Sequence, residues 1–237
     1  ENLDSNIISR LFVGLLLVTI VSFSYFYNLD YLLLLILITL VAYDTYKIKI
    51  ANKPILIGVF FIFSLTFFIP IEIIGNIYIL EVILVTFIIL YSKFKQIFFL
   101  ISIYIFIIIL FYIIETDRRF FYILIFVSFF NDTIAYLSGR SIGGPKIAPI
   151  ISPKKTWSGS LISFFVTTLV LYYLNFDIFL SMLISVSFFS GDIFFSYFKR
   201  YMQIKDFSNS LGGHGGILDR IDSMFFVAII FQIYLVL

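Results

Sequence analysis

The stretch QIFFLISIYIFIIILFYII, residues 96–114, places 19 consecutive residues without a single charge. Wound as an α-helix at about 1.5 Å per residue, it is long enough to cross a hydrocarbon layer of roughly 30 Å. Backbone groups in lipid have no water to bond, so they must pair within their own segment, and that requirement selects a helix. Working outward, further apolar segments lie near 8–26, 31–47, 54–71, 74–92, 119–138, 157–174, 178–198 and 217–237. The first of these is too long for the apolar core of a secretory signal and lacks a small-residue cleavage site, so it reads as a span. The chain is 62% hydrophobic and 13% charged over 237 residues. Soluble domains carry about 25% charge, which excludes that class. The expected fold is an all-α polytopic membrane protein with about nine transmembrane helices.

The cations give the orientation. Arg10, Lys47, Lys49, Lys53, Lys93, Lys95, Arg140, Lys146, Lys154, Lys155, Lys199, Arg200, Lys205 and Arg220 all fall on one side of the alternation, 14 of the 16 in the chain. The remaining two, Arg118 and Arg119, stand beside Glu115 and Asp117. Basic residues mark the cytoplasmic side, so the N-terminus and the two longer connections, 139–156 and 199–216, are expected there. The chain divides into N-terminal spans, 1–118, and a C-terminal region, 119–237, that carries the chemistry. The absence of cysteine excludes disulfides, thiolate zinc sites, iron–sulfur clusters and cysteine nucleophiles.

Polar residues gather in the C-terminal region. Residues 196–222 read SYFKRYMQIKDFSNSLGGHGGILDRID, with Asp192 just upstream. Charges this dense beside a span are costly unless they bind something ionic. With residues from Gly216 onward helical, Asp219 and Asp222 stand at i and i+3 and share a face. Three carboxylates at the ends of neighbouring helices repel unless a cation joins them, and hard oxygen ligands favour Mg²⁺ or a similar ion. The competing reading pairs these acids with Arg220, Lys199 or Arg200 as interfacial salt bridges. The glycines around His214, the only histidine, bare the N–H groups of a turn entering a helix, which suits a phosphate and equally suits a flexible connector. His214 itself reads either as a donor to phosphate or as a solvated loop residue. A second cluster holds Asp132 inside an apolar run, then Lys154, Lys155 and Thr156. These lysines fit a polyphosphate, and they fit the positive-inside rule as well. Thr156 is placed to cap the next helix. Glu72 and Glu81 are a minor polar contact or a second site, and Asp30, Asp177 and the Glu115–Arg119 group are interfacial.

The Ser-x-Phe-Lys-Arg, Lys-Asp and His-Gly-Gly-Ile-x-Asp-Arg-Ile-Asp elements between Ser196 and Asp222 resemble the signature of phosphatidate cytidylyltransferases. Asn131-Asp132-Thr133 with Ala135-Tyr136, and Ser152-Pro153-Lys154-Lys155-Thr156-Trp157, resemble a second block of that family. The resemblance covers the chain from about residue 130 onward. It implies transfer of a cytidylyl group from CTP to phosphatidate, giving CDP-diacylglycerol and pyrophosphate. It implies metal binding at Asp192, Asp219 and Asp222, by Mg²⁺ and a monovalent cation such as K⁺. The substrate-binding set it implies, together with the charges read above, is Asp132, Lys154, Lys155, Thr156, Ser196, Lys199, Arg200, Lys205 and Arg220. His214 joins Asp192, Asp219 and Asp222 as a catalytic candidate. Two departures stand out: Phe195 where members often carry Glu, and Ser158 where Glu or Gln is common. The expected partners are CTP, phosphatidate and the lipid bilayer, with no nucleic acid. An aromatic-rich lipid face permits a homodimer, and the expected location is a bacterial inner membrane with the site facing the cytoplasm. Two other classes compete, an ion-coupled transporter using the same acids and a CDP-alcohol phosphotransferase. Clustering of the acids near basic, glycine-rich loops favours an enzyme over the first, and no Asp-Gly-x-x-Ala-Arg pattern supports the second.

Overall fold

Segments too apolar to expose backbone to anything but themselves fold as helices throughout the computed structural model, which describes residues 16–47, 71–90, 95–210 and 215–236. In chain order the elements are α1 (Leu16–Tyr27), α2 (Asp30–Lys47), α3 (Ile71–Ile74), α4 (Ile77–Leu90), α5 (Lys95–Thr116) and α6 (Arg118–Ile142). There follow β1 (Lys146–Ala148), β2 (Ser152–Thr156), α7 (Trp157–Tyr173), α8 (Ile178–Tyr201), α9 (Leu218–Ile221) and α10 (Met224–Val236). Among the described residues three helices, α5, α6 and α8, are long and apolar enough to cross a membrane, and α1, α4, α7 and α10 are shorter apolar helices. Residues 54–70 of the expected segment 54–71, and His214, lie outside the described residues.

The chain forms two compact units. The first comprises Glu1–Tyr122 and Asp206–Arg220, and α5 is its core. Phe99, Ile103, Phe106, Ile109 and Ile113 along that helix are fully buried. Helix α5 is apolar on every face, as a helix must be when neighbours rather than water surround it. A long-range ion pair in this unit ties α2 to the start of α6: Arg118 Nε donates to Asp30 Oδ2 at 2.8 Å, and the guanidinium lies 4.8 Å from the Tyr25 ring centroid. Tyr122 also donates its hydroxyl to Asp30. The expected interfacial acids therefore act here as structural anchors. Glu81 is fully buried within α4.

The second unit comprises Ile123–Lys205 and Ile221–Leu235. Helices α7 and α8 pack together along their length. Asp177 caps α8, accepting from Phe179 N at 2.8 Å and Leu180 N at 3.1 Å. Thr156 caps α7, as its sequence position predicts, accepting from Gly159 N at 3.2 Å. Helices α6 and α7 approach to backbone contact: a Cβ on Gly159 would stand 3.2 Å from Gly139 Cα. Such approach between small residues is how membrane helices gain packing where lipid removes the hydrophobic drive.

Two local features differ from the sequence reading. The 139–156 connection is not a plain loop. Helix α6 continues to Ile142, Gly143 and Gly144 take φ of +71° and +105°, and β1 and β2 then pair as a short antiparallel hairpin. The last span is also interrupted. Four-residue α9 ends at Ile221, and a turn at Asp222 and Ser223 precedes α10. Asp219 and Asp222 therefore do not stand on one continuous helix face. Upstream of α9, Gly215 takes a φ of +81°, and the Asp219 carboxylate accepts from the Gly216 amide at the start of that helix.

Candidate functional site

The second unit encloses a cavity of about 390 Å³ where α6, the hairpin, α7 and α8 meet. Each element contributes for a local reason. Helix α6 carries Asn131 and Asp132 inward, and Thr167 of α7 fixes the former by donating to Asn131 Oδ1 at 3.1 Å. The hairpin delivers Lys146, Lys154 and Lys155, and the last turn of α6 delivers Arg140. Helix α8 supplies Asp192. Four cations and two carboxylates thus share a mostly apolar cleft, an arrangement suited to a ligand bearing several negative charges together with a hard cation.

The acids are held by ammonium groups. Lys155 Nζ forms an ion pair with Asp192 Oδ2, and the same ammonium lies 5.5 Å from the Phe189 ring centroid. Ser196, one turn on along α8, donates to Asp192 Oδ1 at 3.4 Å. Lys199 Nζ stands 3.5 Å from Asp222 Oδ2, and both side chains are buried. Asp222 feels the charges of Asp192, Lys199, Asp132 and Lys155, so these five groups form one electrostatic cluster. Backbone fixes the spacing of its members. A Cβ on Gly191 would stand 2.6 Å from Asp222 O and 2.8 Å from Ser223 O, so α8 meets the 222–223 turn main chain to main chain. Ser128 on α6 and Ser223 share a hydrogen bond of 2.7 Å that secures the same turn.

The remaining expected residues have other places. Thr156 lines the cavity while capping α7. Arg200 Nε donates to Ile151 O at 3.1 Å and its Nη1 to Ile204 O at 3.0 Å, so it ties the hairpin to the end of α8. Lys205 is exposed and Arg220 half-buried. The position that departs from the family pattern at Phe195 is fully buried, its ring 5.4 Å from that of Phe225. Ser158, the other departure, donates to Gly143 O and lies 3.1 Å from Thr156 Oγ1, closing the glycine turn over the start of α7. Arg140 and Lys146 escape a motif-based reading as ligand candidates, although both are cations close in sequence to Lys154 and Lys155.

In the first unit Asp219 accepts from two main-chain amides. Its Oδ2 accepts from Phe207 N and from Gly216 N, each at 2.9 Å. A fully buried acid absent from the sequence reading, Asp44 on α2, does the same for the flanking residues. Asp44 Oδ1 accepts from Ser208 Oγ at 2.6 Å and Ser210 Oγ at 3.0 Å, and its Oδ2 accepts from Leu218 N at 3.0 Å. The signal was present: Asp44 is an acid inside an apolar run, as Asp132 and Asp192 are. Among the described residues no group of three or more His, Asp or Glu side chains is gathered at metal-ligating range. The donors nonetheless suit a hard cation, since Asp192 and Asp222 are carboxylates in mutual electrostatic contact that lysines now hold.

Comparison with known sequences bears on this cluster. The sequence model of the Cytidylyltransferase family matches residues 6–237. A protein named phosphatidate cytidylyltransferase from Rickettsia bellii (strain RML369-C) is 42% identical over 113 residues, covering 41% of this chain and 49% of the relative. One of the same name from Aquifex aeolicus (strain VF5) is 38% identical over 148 residues, covering 60% and 57%. Another from Staphylococcus aureus (strain COL) is 40% identical over 116 residues, covering 45% of each. The chain thus spans about half the length of the curated relatives it matches. It belongs to the cytidylyltransferase family.

Proposed function

We propose that this member of the cytidylyltransferase family converts CTP and phosphatidate to CDP-diacylglycerol and pyrophosphate at the cavity of its second unit. The observation that carries the reading is the cavity's lining, with Arg140, Lys146, Lys154 and Lys155 facing Asp132 and Asp192. A phosphate oxygen of phosphatidate attacks the α-phosphorus of CTP, a new P–O bond forms, and the α–β phosphoanhydride breaks to release pyrophosphate. The attacking oxygen is already anionic, so no strong general base is required. What the reaction needs is alignment of two polyanions and relief of their repulsion. Lys154, Lys155, Arg140 and Lys146 neutralise the triphosphate, and Lys199, Arg200, Lys205 and Arg220 are assigned to the remaining phosphate charge. Asp132, Thr156 and Ser196 orient substrate or its counter-ion. His214 steadies the departing pyrophosphate.

The metal role proposed for Asp192, Asp219 and Asp222 rests on their place in the motif and on the hard oxygen character of the donors. When bound, Mg²⁺, with a monovalent cation such as K⁺, supplies neutralisation of phosphate charge. For Asp192, that role asks Lys155 to exchange its carboxylate for a phosphate, which a flexible ammonium does readily. We further propose a bacterial inner-membrane location, about nine spans, a cytoplasmic N-terminus and a site open to the cytoplasm. The cation alternation supports that orientation. A homodimer is compatible with the apolar lipid face. The test is an assay of the full chain in detergent–lipid micelles with labelled CTP and phosphatidate. Label in CDP-diacylglycerol with matching pyrophosphate release, dependent on Mg²⁺, is expected. Solute flux in vesicles without nucleotide turnover would replace this reading with a transporter.

A further inference from the structure

The residues Asp206–Arg220 group with the N-terminal helices although the motif they carry belongs, in sequence, with the C-terminal half. Their attachment is specific. Asp44, fully buried on α2, spends its carboxylate on both ends of this segment: Ser208 and Ser210 on one side, the Leu218 amide on the other. Asp219 then laces those ends together through the Phe207 and Gly216 amides. The fit leaves no slack. A Cβ on Gly216 would lie 2.8 Å from Ser208 Oγ and run into the Asp44 carboxylate. Phe207 is buried, with its ring stacked 5.9 Å from Phe99 of α5. An acid this deep in an apolar helix is costly unless every donor around it is used. Among the described residues, neutral donors arranged about both oxygens meet that cost, and they fix direction as well as distance.

We infer that Asp44 is a positioning residue for the reaction. It acts through the backbone on either side of the glycine-rich turn and sets where Asp219 is presented. The inference rests on the functional reading above. It adds that α2, which lies outside the motif in sequence, fixes the segment that carries Asp219. It also means that geometry, rather than the charge of Asp44, is what the site requires. An Asn at position 44 retains an acceptor for the Leu218 amide, while its Nδ2 can donate to serine hydroxyls that are able to accept.

The experiment compares Asp44→Ala, Asp44→Asn and the pair Ser208→Ala/Ser210→Ala in the full chain. It reads turnover of CTP with phosphatidate and hydrogen exchange at the Leu218 amide. Asp44→Ala is expected to lower kcat on the order of 10²-fold, since misplacement by about 1 Å costs that much, with KM for CTP changed less than about threefold. Its Leu218 amide exchanges about tenfold faster or more. Asp44→Asn restores kcat to within about fivefold of wild type and restores protection at Leu218. Should Asp44→Ala fail to fold, the serine pair reads the same contact and is expected to lose about tenfold in kcat. Wild-type kcat and unchanged Leu218 exchange in a folded Asp44→Ala or serine-pair variant overturn the inference. So does an Asp44→Asn variant as slow as Asp44→Ala, because charge would then be the requirement. If the wild-type chain makes no CDP-diacylglycerol, the functional reading fails separately, and Leu218 exchange still decides whether Asp44 holds the segment.

Discussion

Two sets of acids in this molecule are satisfied in opposite ways. In the second unit Asp192 and Asp222 face ammonium groups, Lys155 and Lys199. In the first unit Asp44 and Asp219 face amide and hydroxyl groups. A lysine is a mobile point charge that can move to another anion when one arrives, so a carboxylate held by it is available to an incoming cation. A carboxylate accepting directed bonds from main-chain amides is committed, and what it contributes is shape. The difference separates Asp192 and Asp222, which their lysines can yield to a cation, from Asp44, which holds the frame, while Asp219 combines a place in that frame with the proposed metal role.

Substitutions that remove charge but keep shape test this division most severely. Asp192→Asn is expected to lower kcat on the order of 10³-fold while leaving the thermal unfolding midpoint in detergent nearly unchanged. Turnover within a few-fold of wild type would break the comparison at its stronger end. Asp219→Asn keeps an acceptor for the two amides, so a loss of about 10²-fold would add a charge role to its structural one. Wild-type turnover would leave Asp219 as a staple alone. Lys155→Ala is expected to raise KM for CTP about tenfold, read from initial rates at varied nucleotide, because one phosphate contact is lost. The smallest effect belongs to a residue of the frame: Thr156→Ala should cost about 1 kcal/mol of stability through the lost helix cap, measured by thermal melting.

The helical class was legible because lipid leaves the backbone no alternative, and runs such as residues 96–114 state the requirement directly. The acids of the cavity were legible for a related reason, since Asp132 and Asp192 interrupt apolar runs. Asp44 offered the same interruption, but its partners lie 164 to 174 residues away in sequence, and no local pattern announces them. The hairpin was hidden because Lys146–Ala148 and Ser152–Thr156 are too short and too polar to show strand alternation. The shared helix face expected for Asp219 and Asp222 failed because α9 stops at Ile221 and Asp222 lies in a turn, a break that no Gly or Pro within residues 218–224 announces.

The bare main-chain crossing at Gly191 has a consequence for how this cluster can vary. Nothing compressible lies between that helix and the turn bearing Asp222, so their separation behaves as a hard stop rather than a spring. A single methyl group there would act as a wedge, prising apart two acids whose chemistry it leaves untouched.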